Sequence, residues 1–305
     1  MVVLDGVSLT IDSLAAVAEG QDEVVLAPAA RDRISAAREV VEEALQLSRP
    51  VYGLTTAVAE RKTVTLDAAA SQGFSRFLIK GHLIAQGPPA PPPVVRAAMV
   101  CLVNGYAKGA AGVRPELAEL LVDALNRGLV PAVRSLGSVG QADLGPMADL
   151  AEGLLRETGF VLAAGEGLAL INNNAFATGW AALAVLSAQQ LLGEAEVAAA
   201  LDLEGFAGNL SPLHPVVAEV RPYPGLAVTI GRLRALLAGS YLFEPGNARN
   251  LQDPLTFRHI PQILGAARDA LAYVRTTIET ELNCAQGNPT WSWPNGASCR
   301  PATPT

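Results

Sequence analysis

Between Leu264 and Ile278 the apolar residues Leu264, Ala267, Leu271, Val274 and Ile278 recur at intervals of three and four. That spacing puts them on one stripe of an α-helix, and the same period runs through Ile34, Ala37, Val41, Ala44 and Leu45. A chain that repeats this pattern from end to end must bury helix against helix. The pattern predicts helices over Ile11 to Glu19 behind a Thr10 cap, from about Ala29 to Leu47, and over Ser71 to Leu83 and Val94 to Ala107. Another runs from Pro115 to Arg127, with proline at its first position and Gly128 just past its end. Further helices are expected over Gly167 to Gly193, Glu194 to Ala207 and Leu226 to Ala238. Only Val2 to Leu9 and Val24 to Leu26 have the β-branched character of strands. The fold class is therefore mainly α: a long-helix bundle with a small N-terminal mixed α/β portion. Gly87 to Pro93, GPPAPPP, reads as an extended spacer that no helix can enter.

Half of the 305 residues are hydrophobic and only 17% are charged. That fills a core and leaves little polar surface for an isolated particle, so burial in a homo-oligomer is expected. The net charge of −7 and the absence of any basic run exclude a nucleic-acid binder. Gly167 to Gly193 carries no charge and is long enough to cross a bilayer, but Asn172, Asn173, Asn174, Gln189 and Gln190 interrupt it. A buried central helix is expected there, and no membrane partner. Cys101, Cys284 and Cys299 are odd in number and far apart, which fits reduced thiols and a cytoplasmic protein; no export signal is read at the N-terminus. His82, His214 and His259 are too scattered in sequence to suggest a metal site. Dinucleotide, P-loop, zinc-protease and nucleophile-elbow motifs are absent.

One loop carries more chemistry than the rest. GSVGQADLGPMADL, from Gly137 to Leu150, passes from small residues to a carboxylate and then to an apolar helix with Pro146 in its first turn. Asp143 is placed to cap that helix, whose free N–H groups form a ready place for an anion or a reactive centre; the alternative is a plain turn. The preferred division is 1–136, an N-terminal helical domain with a loop of its own at Val51 to Lys62; 137–285, a central bundle; and 286–305. This last segment holds Pro289, Pro294, Pro301 and Pro304 with no helical or strand period, and reads as an irregular tail.

Several stretches in order resemble the aromatic amino-acid ammonia-lyases and aminomutases, the family typified by histidine and phenylalanine ammonia-lyase. VYGLTTAVAE is similar to the family's tyrosine loop VYGxNTGFG, and FLIKGHLIAQG to its histidine segment. NGYAKGAAGVRPELAELL, LNRGLVPAVRSLGSVG, LALINNNAFATG and RPYPG follow, and LQDPLTFRHIPQILGA resembles QDPYSLRxxPQxxGA. The resemblance implies a helical lyase fold and a tetramer. It also implies carbon–nitrogen elimination from an amino acid by an electrophile that an Ala-Ser-Gly triplet forms by cyclising and losing two waters, so no added cofactor is expected. Carried over position by position, it makes Tyr52 the base, Asn172 the support of the electrophile, and Arg258 the clamp of the substrate carboxylate with Gln252 beside it. His82 falls where the histidine enzymes contact the substrate side chain.

The departures bear on activity. Where the family reads GSVGASGDLAPL, this chain reads GSVGQADLGPM, one residue shorter, with Gln141 and Ala142 in place of the triplet. Ser138 is followed by β-branched Val139, which lacks the freedom of the glycine whose nitrogen must attack. The family's second tyrosine is Leu255, its loop glycines are Ala57 and Ala59, and complete members continue for many helices past Asn288. Three readings follow: a lyase-like protein that binds an amino acid or an arylacrylate-like carboxylate without ordinary deamination; a non-catalytic pseudoenzyme or truncated product acting through subunit contacts; or an enzyme of elimination or cyclisation by acid–base catalysis alone, with Tyr52 as base and Arg258 as carboxylate clamp. Each site residue has an ordinary alternative: loop packing for Tyr52, a salt bridge for Arg258, capping for His82, and a buried polar network for Asn172. Arg232 and Arg234 are expected on a solvated face.

Overall fold

The computed structural model describes residues 1–47, 49–287, 290 and 291. Cys299, Trp293 and most of the segment 286–305 lie outside the described residues. Two compact units divide the chain: residues 1–183 with the stretch from Ile278 onward, and residues 184–277. Both divisions fall within helices, where no change of composition marks them.

The larger unit opens with β1 (Val2–Leu4), α1 (Ile11–Ala18), β2 (Val24–Leu26) and α2 (Pro28–Gln46), the two strands pairing in parallel. The expected cap is present. Thr10 Oγ1 accepts the Ser13 N–H, and the Ser13 side chain returns a bond to Thr10. Next come α3 (Ala68–Gly81), capped by Asp67, then β3 (Gln86–Pro89), α4 (Pro92–Ala107), α5 (Pro115–Asn126) and β4 (Arg134–Leu136), which pairs antiparallel with β3. The spacer expected at Gly87 to Pro93 is therefore cut short. Pro92 and Pro93 open α4, because a helix's first turn has no use for their missing N–H groups and their fixed φ already suits it.

From Val94 to Ala107 every residue of α4 is buried, so this is the central helix of the larger unit. Its one charge, Arg96, is satisfied by carbonyls at two helix ends: Val17 and Ala18 at the end of α1, and Leu125 at the end of α5. Burial pulls its pKa down.

The uncharged segment expected as one buried helix is broken in two. After α6 (Leu144–Thr158) come α7 (Glu166–Ile171) and α8 (Ala175–Phe206), and α8 absorbs the separate helix expected from Glu194. Asn173 makes the break. Its Nδ2 donates to the carbonyls of Ala169 and Leu170 at the end of α7, and its Oδ1 accepts the N–H of Ala175 at the start of α8. The stretch Glu166–Phe206 is long and apolar enough to cross a membrane, yet its Glu196 is fully buried, and Leu191 and Leu201 of α8 stand 66% and 69% exposed. It is not the buried core helix that its composition suggests.

The smaller unit contains the second half of α8, α9 (Pro215–Val220), α10 (Pro224–Leu236), α11 (Leu255–Arg258) and most of α12 (Ile260–Leu282). Leu203, Leu213, Leu233 and Leu237 form its core, with Phe257 and Leu264 against it. Arg232 and Arg268 both donate to Glu196; Arg232 keeps the solvated face expected of it, its side chain 52% exposed, while its guanidinium is tied to a buried carboxylate. Arg234 lies over the Phe243 ring at 5.2 Å.

Candidate active site

The Tyr52 loop folds back on itself. The N–H groups of Leu54, Thr55 and Thr56 all point at the Val51 carbonyl, each at 3.1 Å, and the Val51 N–H reaches Thr55 Oγ1 at 2.8 Å. Gly53, at φ +71°, makes that turn possible; a Cβ there would meet Leu168 at 2.3 Å. Tyr52 Oη accepts the Ala59 N–H at 3.1 Å. Ala59 stands at φ +52°, where the family pattern has glycine. The tyrosine lines a cleft with Val41, Leu54, Leu168, Ala169 and Trp291, and among the described residues it is the only ionisable side chain in that lining.

Leu168 and Ala169 reach the cleft because α7 is pinned at its first residue. Glu166 is fully buried and takes four hydrogen bonds: from Arg114 Nε at 2.9 Å, Arg114 Nη2 at 2.8 Å, the Arg114 N–H at 2.9 Å and the Ala163 N–H at 2.7 Å. The hydrogen bonds to Glu166 hold the Arg114 pKa above its ordinary value. The pair is not legible in the sequence, because Glu166 stands just outside the uncharged stretch that begins at Gly167 and Arg114 is 52 residues away. The available signal was a lone glutamate on the edge of that stretch.

Asn172 is half-buried directly after α7, its N–H donating to the Leu168 carbonyl at 2.8 Å, so it and the Tyr52 cleft share one short helix. His82 lies elsewhere. It ends α3, and its Nδ1 donates to the Leu78 carbonyl at 2.7 Å. Its groove is lined by Val58, Arg61, Phe74 and Phe77, on residues that do not overlap the Tyr52 cleft. In the smaller unit Gln252 is exposed, while half-buried Arg258 ends the short α11 rather than beginning the last long helix. Arg258 Nε is buried with no hydrogen-bond partner among the described residues.

Asp143 does not cap its own helix. Its Oδ2 accepts the Ala177 N–H at 2.8 Å in the first turn of α8, and its own N–H donates to the Asn173 carbonyl at 2.8 Å. One carboxylate thus joins the focal loop to the break between α7 and α8. The loop itself closes as a tight turn, with the Val139 N–H on the Ala142 carbonyl at 2.9 Å and Gly140 at φ +91°. Ser138 Oγ accepts the Gly140 N–H at 3.2 Å. These residues do not fit the family's electrophile, because Gln141 and Ala142 stand where the resemblance would put its triplet.

Residues 9–160 and 155–299 match the family model described as aromatic amino acid lyase. The histidine ammonia-lyase of Treponema denticola is 35% identical over 94% of this chain and 61% of its own length. Among solved structures, tyrosine aminomutase from Streptomyces globisporus is similar with a TM-score of 0.86 and 29% identity, over 97% of this chain and 63% of that one. Histidine ammonia-lyase from Trypanosoma cruzi is similar with a TM-score of 0.82 and 31% identity, over 95% and 58%. A helical scaffold shared with lyases and aminomutases acting on amino acids is thus joined to a match along nearly the whole chain. The chain belongs to the aromatic amino acid lyase family. It spans about 61% of the length of the curated relatives it matches.

Proposed function

We propose that this protein binds an amino acid or an arylacrylate-like carboxylate and does not carry out ordinary electrophile-dependent deamination. The observation that carries this reading is the focal loop, where Gln141 and Ala142 fill a closed turn in place of Ala-Ser-Gly. Without an electrophile the β-proton remains weakly acidic. The side chains left can then bind and orient a substrate, which lowers the barrier only in part. In this reading Tyr52 is the base at the cleft of the larger unit and Asn172 binds substrate there; the resemblance gives substrate contact also to His82, on its own groove, and carboxylate pairing to Arg258 with Gln252 in the smaller unit. The buried Nε of Arg258, without a hydrogen-bond partner among the described residues, supports an anion-binding role. Intact mass tests the first half: it should equal that of the unmodified chain, with no loss of two waters. Phenylalanine, tyrosine and histidine should yield neither cinnamates nor urocanate at family-like rates. Many turnovers per second would overturn the proposal. Thermal-shift screening against amino acids and arylacrylates tests the second half, since a bound ligand stabilises the fold.

A second reading, a non-catalytic homo-oligomer located in the cytoplasm, is favoured by apolar side chains left exposed on long helices. Leu191 and Leu201 on α8 and Ile263 and Tyr273 on α12 are 63–75% exposed. A tetramer is the state that the resemblance implies. Light scattering at micromolar concentration tests it, and a well-behaved monomer would contradict it.

A further inference from the structure

Deep in the larger unit a tyrosine hydroxyl and a glutamine oxygen line one small cavity. Tyr106, on the central helix α4, is 3% exposed, and its hydroxyl has no hydrogen-bond partner among the described residues. Gln286 Oε1, just past the end of α12, is buried and equally without a partner among them. Leu102, Ala110, Ala169 and Ala285 make the cavity's apolar walls. A Cβ placed on Gly105, next to Tyr106, would lie 3.7 Å from Gln286 Oε1, so that oxygen stands against α4 itself. Folded chains do not leave such atoms unpaired without cost.

What each atom needs is fixed by its surroundings. Gln286 Nε2 donates to the Glu281 carbonyl at 3.3 Å, and since a carbonyl only accepts, the amide oxygen is the end left for the cavity. Burial, and then the charge of Glu166, push the Tyr106 pKa well above its ordinary value. The phenol therefore stays protonated and has a hydrogen bond to give. Asn173, the third polar side chain of the lining, is already spent on the Ala169 and Leu170 carbonyls and the Ala175 N–H. One donor and one acceptor remain, and they do not reach each other. The space open to the centre of a water molecule is about 10 Å³, on the order of what one water needs.

We propose that Tyr106 and Gln286 form an internal site for a single water molecule, which accepts from the phenol and donates to the amide oxygen and so ties the chain after α12 to the central helix. Gly287, in the same stretch, belongs to the wall of the Tyr52 cleft, so the bridge sets where that wall stands. The site lies wholly in the larger unit and does not depend on the carboxylate reading. A double-mutant cycle in urea with Tyr106→Phe, Gln286→Met and the two together is the test. Residues that share one bridging molecule lose it with the first substitution. The double variant is therefore expected to fall no further below wild type than the worse single variant, a departure from additivity of roughly five-fold in the folding equilibrium constant. Additive losses would overturn the bridge. So would a Tyr106→Phe variant more stable than wild type, the result of removing a hydroxyl that has no partner. Should the variants fail to fold, wild type with labelled tyrosine decides the matter by NMR. The Tyr106 hydroxyl proton must exchange slowly and show an Overhauser effect to water, with the sign of a molecule held for nanoseconds or longer. Loss of that signal to fast exchange, or a signal without the effect, sinks the proposal.

Discussion

Glu166 in the larger unit and Glu196 in the smaller one are both withdrawn from solvent, and they are held in opposite ways. Glu166 has one guanidinium and two backbone N–H groups, which makes it part of the chain's path: it fixes where α7 starts and so where Leu168 and Ala169 meet the Tyr52 cleft. Glu196 has two guanidinium groups and no backbone donor among its recorded partners. Arg232 comes from α10 and Arg268 from α12, so the carboxylate cross-links helices whose own geometry is already complete. The first arrangement positions a candidate site, and the second braces a scaffold. The contrast makes unequal demands on the arginines. Removing Arg114 leaves a buried carboxylate with no cation, whereas removing Arg232 leaves Glu196 with Arg268.

The largest expected effect follows from that. Arg114→Met should cost about 3–5 kcal/mol of stability, the usual result of stranding one member of a buried pair. Urea denaturation measures it, and a loss under about 1 kcal/mol would mean that the two backbone N–H groups hold Glu166 without help. Next in size is Asn173→Ala, which removes the side chain that ends α7 and begins α8. Three hydrogen bonds go with it, two of them buried, and a loss of about 2–3 kcal/mol is expected. Hydrogen exchange should rise at Ala175 before it rises elsewhere in α8, because that N–H loses its acceptor. Arg232→Met should cost less, about 1–2 kcal/mol, since its side chain is half exposed and Glu196 keeps its second partner. If Arg232→Met proved as damaging as Arg114→Met, the distinction between the two carboxylates would fail.

The helices were legible because a period of three to four is written in the apolar residues themselves, and the Thr10 cap and the Pro115 start follow from local chemistry. The break at Asn172 to Asn174 was not, although the asparagines were noticed. Periodicity counts apolar residues, and Ala169, Leu170 and Ala175 keep the pattern going on both sides. What ends the helix is one amide bonding forward and backward at once, a contact that no spacing rule records. Asp143 misled for a related reason. Its position before α6 is that of a cap, but the N–H it serves belongs to Ala177, 34 residues away. The site residues divide the same way. Tyr52 and Asn172 both sit close to α7, while His82 opens on a different groove, and only the folded chain could separate them.

The smallest expected effect concerns two alanines in left-handed backbone, one in each unit. Ala59 has φ +52° and Ala207 φ +57°. A Cβ in that region costs roughly 1–2 kcal/mol, while glycine loses most of a kilocalorie per mole (roughly 0.4–1) through the freer unfolded chain, so each substitution to glycine should gain about 0.5–1 kcal/mol. Ala207 follows the last residue of α8, where the Gly208 N–H bonds back to the Leu203 carbonyl at 2.8 Å and the Ala207 carbonyl accepts the Arg249 N–H at 2.7 Å. Its surroundings are fixed on both sides, so Ala207→Gly should raise the melting temperature and change nothing else. Ala59 instead holds Tyr52 Oη through its own N–H, in a loop whose tyrosine is 37% exposed. Ala59→Gly should give the same gain or less in melting temperature, and in addition it should alter the Tyr52 ring environment, read from its aromatic resonances by NMR. Identical behaviour of the two variants would mean that Ala59 is a strained turn and nothing more. A change at Tyr52 confined to Ala59→Gly would mark the larger unit as the one whose backbone strain bears on the candidate site.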